Sequence, residues 1–435
     1  MTAPPQRLPQ PGDVLELSVG EAAHGGWCVA RQASGPVIFV RHALPGEQVR
    51  AVITQTTSRF ARADATEILD ASADRVTPPC PHAHPEGCGG CDWQHASLPA
   101  QRALKAGVVR QQLRRIAGIE REVSVEPMPG DATGLRWRTR VKFAVGRSGV
   151  AGLRKHRSRD VMKIADCLIA HPLVDAAAVT GRRWPGFASV EVAVAPGSGQ
   201  RAVIGSGSSP ARRTAADAVL AGDGTSARAL RGTGFLRQRA AGRDWRVSAA
   251  GFWQVHPAAA DALATAVLGA LRPRPGEVAL DLYCGAGLFA GVLAGAVGPS
   301  GAVIGIEADP AAVRDARHNL RATPWARVHR GDAAVLLARH GLSGASLAVL
   351  DPPRTGLARP VIDLLSTPWR ASAGRHADQA SRISRVAYVS CDPATLARDI
   401  AAFGACGWEL GSLRAFDAFP MTHHVECLAT LVRGH

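Results

Sequence analysis

The sequence has no uninterrupted apolar run of about 18 residues, the length that a membrane-spanning helix requires. Its first residues lack the charged and then apolar segments of an export signal. We therefore expect a cytoplasmic protein without a membrane partner. No segment recurs at a fixed period, so the chain is not a solenoid of repeats.

Lysine is scarce, since only four of the 51 basic residues are lysines, and acidic residues number 36, which leaves a net charge of +15. Arginine enrichment can simply reflect a genome's base composition, so the distribution of charge is more informative than its total. Residues 101–160 hold 15 basic and 5 acidic residues, which is an excess of ten in a short segment. This concentration favours a nucleic-acid surface, with a solvated basic face as the alternative.

Nine cysteines in a cytosolic chain should remain reduced rather than form disulfides. Four of them follow a spacing that is typical of metal sites: Cys80, Cys88 and Cys91 lie close together, and Cys167 follows far downstream. Four thiolates suit either a tetrahedral zinc ion or an iron-sulfur cluster. Spacing alone does not separate these two metals.

At 435 residues the chain is too long for one core, so we expect two or three domains. Residues 1–72 read as short strands broken by Gly and Pro, which predicts a small OB-like β-barrel. Its predicted strands are Val14–Val19, Gly25–Ala30, Val37–Val40 and Gln48–Ile53.

Residues 73–250 are predicted to form a central α/β domain that contains the metal site and binds RNA. Apolar residues at helical spacing between positions 98 and 116 predict an amphipathic helix, which we expect to pack on the C-terminal domain. Further on, four cations alternate with other side chains, which places them on one face of a predicted strand suited to phosphates. They are Arg136, Arg138, Arg140 and Lys142. A core strand with exposed arginines unrelated to RNA is the alternative.

Residues 251–435 alternate apolar strands with Ala-rich helical stretches, which predicts a Rossmann-like, doubly wound parallel sheet. The predicted strands are Val278–Leu282, Ala302–Glu307, Leu347–Leu350, Ala387–Ser390 and Leu428–Val432. The polar stretch 367–385 is predicted to be a surface loop.

A glycine turn follows the first of these strands, where Gly285 and Gly287 would let the backbone approach a ligand closely. Glu307 ends the second strand and is placed to accept the hydroxyls of a ribose. Asp332, after the third strand, is placed to contact the base. Because a dinucleotide fingerprint would have a third glycine, S-adenosylmethionine is a better ligand than NAD.

Asp351 ends the fourth strand in an Asp-Pro-Pro sequence, whose prolines fix the backbone so that the carboxylate faces the crevice. A rigid turn is the alternative. Cys391 ends the fifth strand just before a helix, whose N-terminus should favour the thiolate. Glu426, before the last strand, is a candidate general base, with His423 and His424 as competitors.

A thiolate next to a methyl-donor site has a clear chemical use. Carbon 5 of uracil is a poor nucleophile, but addition of a thiolate to carbon 6 makes it equivalent to an enolate. A base must then remove the proton from carbon 5 before the enzyme is eliminated. Cys391 and Glu426 can supply these two functions.

The chain resembles the bacterial RNA (uracil-5-)-methyltransferases nearly from end to end, including a TRAM-type barrel at its start. Ser-Cys-Asp-Pro-Ala-Thr-Leu at 390–396 resembles the family's nucleophile segment, and His-Val-Glu at 424–426 resembles the segment of its base. The resemblance implies a cofactor and uracil pocket lined by Gln254, Tyr283, Glu307, Asp332 and Asp351.

Members with Cys-Gly-Gly-Cys followed by Gln-His, as at positions 88–95, carry a four-iron, four-sulfur cluster. The resemblance therefore implies such a cluster on Cys80, Cys88, Cys91 and Cys167, although the first cysteine gap is longer here. Two other departures concern cofactor contacts. His256 stands where an asparagine is usual, and Leu288 stands where a polar residue is common.

We thus predict methylation of carbon 5 of a uridine in RNA, with ribosomal RNA favoured over transfer RNA, by a monomer that needs no protein partner. One alternative is a methyltransferase that acts on an exocyclic amine or a small molecule. Another is an iron-sulfur RNA-binding protein without catalysis.

Overall fold

A computed structural model describes residues 8–31, 35–207, 218–222, 228–231, 233–340, 344–367 and 382–434. Within these ranges no helix is both long and apolar enough to cross a membrane. Most of the predicted surface loop at 367–385 lies outside the described residues.

The N-terminal strands close into a five-stranded barrel in the order β1-β2-β3-β5-β4. The barrel predicted from the turn spacing is therefore confirmed, and it has one strand more than predicted. Its inward positions on β5 are Ala61, Ala63 and Ala65, which are too small to produce a strong apolar pattern. The strands are β1 Val14–Ala23, β2 Trp27–Arg31, β3 Val37–Arg41, β4 Gln48–Thr56 and β5 Phe60–Asp70.

Helix α1, Leu98–Gln112, continues into a π-helical turn at Leu113–Ala117, close to the predicted bounds. Ser97 caps its start by accepting a hydrogen bond from the Ala100 amide, and Gly118 ends it in the left-handed conformation. Two faces of the helix are buried. Val108 packs in the barrel core, whereas Val109 packs in the core of the C-terminal sheet.

The central region is a seven-stranded sheet in the order β13-β12-β11-β10-β7-β8-β9, followed by the hairpin β14-β15. Besides α1, its described residues contain one short α-helix, α2 Pro172–Asp175, and a 3₁₀ turn at Pro196–Ser198. The strands are β7 Arg140–Val145, β8 Ala151–Arg154, β9 Val161–Met162, β10 Phe187–Ala195, β11 Gln200–Gly207, β12 Ala218–Gly222, β13 Arg228–Arg231, β14 Phe235–Ala240 and β15 Arg243–Ser248.

The C-terminal domain has an eight-stranded sheet in the order β18-β17-β16-β19-β20-β22-β21-β6, with helices on both faces. Strands β16 to β20 are parallel, and β22 is antiparallel to both of its neighbours. The strands are β6 Val125–Pro127, β16 Val278–Leu282, β17 Ala302–Glu307, β18 Ala326–Arg330, β19 Leu347–Leu350, β20 Arg385–Ser390, β21 Trp408–Asp417 and β22 Glu426–Arg433.

The helices of this domain are α3 Ala259–Leu271, α4 Leu288–Val297, α5 Pro310–Asn319, α6 Ala333–His340, α7 Arg359–Ser366 and α8 Pro393–Gly404. The doubly wound sheet predicted from the alternation is confirmed. Its strand order reverses between β16 and β19, and a ligand of such a sheet binds at this point, beyond the carboxyl ends of the strands. Strand β6, by contrast, comes from far upstream and covers the edge of β21.

Candidate active site

The candidate nucleophile lies at the carboxyl end of β20, where the buried strand passes into α8. Asp392 begins the helix, and its Oδ1 accepts a hydrogen bond of 2.8 Å from the Thr395 amide. Ser390 Oγ accepts another from the Asp392 amide at 3.3 Å. These contacts hold the half-buried Cys391 between the strand and the helix.

Without bound substrates, Cys391 is a neutral thiol at neutral pH. Burial raises its pKa to about 11, the charge of Glu426 adds to this effect, and Arg354 opposes it. The expectation that the N-terminus of α8 favours the thiolate stays a prediction, because the raised pKa is a net result in which burial dominates. A helix end supplies about 1 kcal/mol at most positions, and here desolvation outweighs it.

The pairing of β20 with β22 brings the candidate base to the candidate nucleophile. The last registered pair is Ser390 with Cys427, so Cys391 and Glu426 come next on adjacent strands. Glu426 is buried, and burial raises its pKa well above the ordinary value, with a further contribution from Asp351. Because the carboxyl group is desolvated, it binds a proton tightly.

Asp351 and Arg354 complete this part of the site from the end of β19. Burial raises the pKa of Asp351 to about 7. The Arg354 guanidinium acts on both Cys391 and Glu426, and its Nη2 lies 3.4 Å from Nε2 of His424. Arg354 was not among the predicted site residues, although it directly follows the Asp-Pro-Pro sequence. Its position after that motif is the signal that could have identified it.

The glycine turn after β16 has the open backbone that a ligand needs. Tyr283, Gly285 and Gly287 all have positive φ values, of 65°, 53° and 88°. A side chain on Gly285 would meet nothing within 4 Å, so this position faces open space. Gly287 differs, because a Cβ there would lie 3.3 Å from Ala316 Cβ. Gly287 thus allows the close packing of α4 against α5.

Glu307, at the end of β17, is hydrogen-bonded to this turn. Its Oε2 accepts from the Gly285 amide at 2.9 Å, and its Oε1 accepts from the Asp309 amide at 2.7 Å. The carboxylate is therefore fixed in orientation beside the turn, and each oxygen keeps a lone pair for a ligand hydroxyl.

Asp281 is a second carboxyl group at this edge and was not among the predicted site residues. It is fully buried, and its Oδ2 accepts a hydrogen bond of 2.6 Å from the Ala290 amide. Its Oδ1 is buried without a partner, and burial raises its pKa. Its place at the end of the strand before the glycine turn was the available signal.

Asp332 approaches the turn from the start of α6, whereas Gln254 lies on a cavity whose lining includes no residue of the turn. Asp332 caps α6, accepting from the Val335 amide at 3.0 Å, and its charge acts on Tyr283. Burial, with a contribution from Asp332, raises the pKa of Tyr283 to about 12. Gln254 is nearly buried and lines a cavity with Trp253 and Gln238.

The two departures from the family pattern have local structural roles. His256 Nδ1 accepts a hydrogen bond of 3.2 Å from the Ala258 amide just before α3, and its Nε2 lies 3.4 Å from Asp131 Oδ2. Leu288, the first residue of α4, is buried in the domain core. Leu288 thus anchors the helix that follows the turn, whereas His256 stabilises the start of α3.

The four predicted metal ligands line one cavity. Cys80, Cys88, Cys91 and Cys167 surround it together with apolar side chains such as Ile164. Burial raises the pKa of Cys88, Cys91 and Cys167, in the last case to about 11. Among the described residues, no group of three or more His, Cys, Asp or Glu side chains is placed to hold a metal ion.

The predicted RNA-binding cations have mixed surroundings. Strand β7 begins only at Arg140, so the alternation predicted from residue 136 onward holds for part of the segment. Arg136 pairs with Asp166 and Asp175, and Arg140 pairs with Glu191. Lys142, by contrast, points to solvent from the middle of the strand.

The fourth cation of the set, Arg138, donates from Nε to the Arg140 carbonyl at 3.1 Å. Trp137, between these cations, and Phe143, directly after them, are buried in the core. The contact of all four cations with RNA stays a prediction.

Comparison with known proteins identifies three matching segments. The TRAM domain matches residues 10–66, which form the barrel. The tRNA (Uracil-5-)-methyltransferase family matches residues 344–434, which contain Asp351, Cys391 and Glu426. Protein-L-isoaspartate(D-aspartate) O-methyltransferase matches residues 254–335, which contain the glycine turn.

Two relatives match nearly the whole chain. An uncharacterized RNA methyltransferase of Streptomyces avermitilis is 47% identical over 97% of this chain and 98% of its own length. Another from Streptomyces coelicolor is 48% identical over 97% of this chain and 93% of its own.

Among solved structures, the tRNA (uracil-54, C5)-methyltransferase of Pyrococcus abyssi, in complex with S-adenosyl-L-homocysteine, matches with a TM-score of 0.69. It is 21% identical to this chain and covers 96% of it and 100% of its own length. At this identity the likeness shows a common fold.

Proposed function

Because this chain belongs to the RNA (uracil-5-)-methyltransferase family and is thus an RNA methyltransferase that uses S-adenosylmethionine, we propose that it methylates carbon 5 of a uridine through a covalent adduct. The register of β20 with β22, which sets Cys391 beside Glu426, is the observation that carries this proposal. It pairs a sulfur nucleophile with a proton acceptor, which a direct methylation of an amine does not need.

Cys391 acts as the nucleophile after its thiol proton has passed to solvent. Its Sγ bonds to carbon 6 of the uracil, and the electron pair of the C5–C6 double bond becomes available at carbon 5. Carbon 5 takes the methyl group, and S-adenosylhomocysteine leaves with the electron pair of the broken S–CH₃ bond. The positive charge of Arg354 lowers the pKa of Cys391, so Arg354 supports formation of the thiolate.

Glu426 removes the proton from carbon 5 of the methylated adduct. The C–H electron pair restores the C5–C6 double bond, and the Cys391 sulfur leaves as a thiolate. The raised pKa of Glu426 suits this step, because a desolvated carboxylate is the stronger base once ionised. Its proton then returns to solvent.

The residues at the edge of β16 to β18 fit S-adenosylmethionine, which supplies an electrophilic methyl group when bound. We propose that Gly285 and Gly287 cradle it, that Glu307 accepts from its ribose, and that Tyr283, Asp332 and Gln254 line its site. Asp351 lies between this site and Cys391. The open space above Gly285 and the unpaired buried Oδ1 of Asp281 support this fit.

Ribosomal RNA is the substrate that we favour. We assign the barrel to residues 1–72, the central RNA-binding domain to residues 73–250 and the catalytic domain to residues 251–435. Since carbon 5 of a stacked base is inaccessible, the uridine is flipped into the pocket. Lys142 and the neighbouring Arg136, Arg138 and Arg140 contact phosphates in this proposal. The enzyme acts in the cytoplasm as a monomer.

A four-iron, four-sulfur cluster is our proposal for Cys80, Cys88, Cys91 and Cys167. Their common cavity supports it. Four cysteines suit such a cluster, because it takes one cysteine on each iron, and a tetrahedral zinc ion is the alternative. Methyl transfer moves no net electrons, so the cluster stabilises the fold or positions RNA.

Transcripts that contain 5-fluorouridine test the proposed function. Fluorine at carbon 5 cannot leave as a proton, so the full-length enzyme with S-adenosylmethionine should stall as a covalent protein–RNA adduct. Cys391→Ala should form no adduct and make no 5-methyluridine. Methylation that persists in Cys391→Ala would contradict the proposal and favour an exocyclic amine or a small molecule as acceptor.

A further inference from the structure

The turn between β1 and β2 of the barrel reaches the catalytic centre of the C-terminal domain. His24, in this turn, places its Nε2 3.2 Å from Oδ2 of Asp392. Asp392 is the residue after Cys391. The barrel therefore contacts the loop that carries the candidate nucleophile.

Asp392 divides its two oxygens between two partners. Oδ1 caps α8 through the Thr395 amide, and Oδ2 faces His24. The contact with His24 is the main reason that the pKa of Asp392 lies well below its usual range, so Asp392 is a carboxylate. Since the helix cap occupies one oxygen, His24 is the group that orients the other.

The same turn also contacts the loop that carries the candidate base. Gly26 has a φ of 82° and packs so closely on Asp92 that a Cβ would lie 2.7 Å from the Cβ of Asp92. Asp92 Oδ2 in turn lies 2.6 Å from Nδ1 of His423 and accepts from the His423 amide at 3.2 Å. His423 lies three residues before Glu426.

His24 and His423 themselves approach edge to face, with ring centroids 6.5 Å apart. The turn thus touches both catalytic loops, one through His24 and the other through Gly26 and Asp92. Three separate contacts at one turn indicate more than incidental packing of two domains.

We propose that His24 is a positioning residue of the methyltransferase, which holds Asp392 and thereby sets Cys391 for attack on carbon 6. This inference rests on the proposed function, because it needs Cys391 to be the nucleophile. The barrel then takes part in catalysis as well as in binding RNA. A small displacement of a reacting atom is costly, so loss of this contact lowers the rate of addition.

The test compares full-length wild type with His24→Ala and His24→Gln. His24→Ala should lower kcat for methylation, and the rate of adduct formation on 5-fluorouridine RNA, by about tenfold, with KM for RNA within about twofold. His24→Gln keeps an N–H donor and should restore most of the rate. Glu21→Ala, an exposed change on β1 just before this turn, is the matched control and should leave both parameters unchanged.

A second comparison uses Asp392→Ala, in which replacement of His24 should cause no further loss of rate, because the two residues act as a pair. A raised KM with unchanged kcat in His24→Ala would make His24 an RNA contact and overturn the inference. An unchanged rate would also overturn it. Absence of an adduct in the wild type would instead contradict the proposed function, so the two failures are distinguishable.

Discussion

Lys105 of α1 and Asp417 at the end of β21 form an ion pair inside the protein, with Nζ 2.5 Å from Oδ1 and neither side chain more than 3% exposed. The ammonium group also donates to the Phe419 carbonyl at 3.0 Å. The pair joins the helix that follows the barrel to the strand that leads toward the catalytic loop of Glu426.

Removal of one partner of this pair should destabilise the protein strongly. Lys105→Met leaves Asp417 buried without its cation, which typically costs about 3–5 kcal/mol of unfolding free energy. Urea unfolding of the full chain measures this loss. Arg110→Ala, a change on the same helix that breaks the exposed pair with Glu122, is the control and should cost less than about 1 kcal/mol. Equal losses in the two variants would contradict the structural role of the Lys105 pair.

The raised pKa of Cys391 predicts slow alkylation at neutral pH in the absence of substrates. The rate with iodoacetamide should rise about tenfold per pH unit until the pH approaches the pKa near 11. Above the pH at which Glu426 ionises, Glu426→Gln removes a charge that raises this pKa and should speed alkylation. Arg354→Met should slow it. Mass spectrometry of the Cys391 peptide gives the rates, and a pH midpoint near or below 9 would refute the prediction.

Asp351 should make the protein less stable as the pH rises. Its pKa is about 7 in the folded state and near 3.8 when unfolded, so the folded state binds the proton more tightly. The stability that the protonated carboxyl group contributes to the folded protein is fully present below pH 4 and is lost as the pH rises to 7. Asp351→Asn removes this dependence and should be more stable than wild type at pH 8, by on the order of 3 kcal/mol.

Urea unfolding of Asp351→Asn and wild type at pH 5 and pH 8 tests this expectation. The difference in unfolding free energy should be larger at pH 8, while methylation activity falls. Glu426 and Asp281 titrate in both proteins, and Asp351→Asn also removes a charge that raises their pKa, so the difference measures Asp351 together with its effect on these two groups. A constant difference between the two pH values would show that the Asp351 carboxyl group is not perturbed.

The cysteine cavity makes a prediction about metal content. Protein purified without oxygen should be brown and contain about four irons per chain. Cys88→Ala should lose this iron and some thermal stability, because Cys88 lines the cavity. Cys406→Ala, outside the cavity, should retain the iron. A colourless preparation that contains one zinc would show that the cluster assignment is wrong.

A change of Lys142 tests the proposed RNA contact of the basic strand most clearly, because its neighbours Arg136 and Arg140 already form ion pairs with carboxylates of the protein. Lys142→Ala should weaken RNA binding and reduce the slope of log K against log salt by about 1. Its melting temperature should stay close to that of wild type.

Arg140→Ala, by comparison, should destabilise the fold through loss of the Glu191 pair and of hydrogen bonds to the Ala249 and Gly251 carbonyls. Identical salt slopes in Lys142→Ala and wild type would remove Lys142 from the RNA surface.

Local pattern predicted much of the fold and part of the site. Four barrel strands, α1 and four of the five parallel strands of the C-terminal sheet were visible as apolar periodicity broken by turn residues. Strand β18 was not predicted, and β22, predicted within the parallel sheet, is antiparallel. The residues at the strand ends, such as Glu307 and Cys391, could be assigned to one edge because the carboxyl ends of parallel strands share it. Strand β5 was missed because its buried side chains are alanines.

Contacts between distant segments could not be predicted in this way. Nothing near His24 indicates that it faces Asp392, and nothing near Lys105 indicates Asp417, since each pair forms only when separate domains pack. The state of Cys391 depends on a balance between burial and nearby charges, which sequence order does not contain. The helix after Cys391 was predicted correctly, whereas the burial that dominates the pKa of the thiol was not predicted.

Strand β6 and helix α1 have a consequence for how the protein can be divided. Residues 125–127 pair with the outer edge of β21, and Val109 and Leu113 of the helical segment lie in the same core as Phe403. A fragment cut at residue 250 would lose both, leaving backbone amides and carbonyls of β21 unpaired and an apolar patch uncovered. Such an edge is a template for intermolecular strand pairing, so the isolated C-terminal half should aggregate rather than serve as a minimal enzyme.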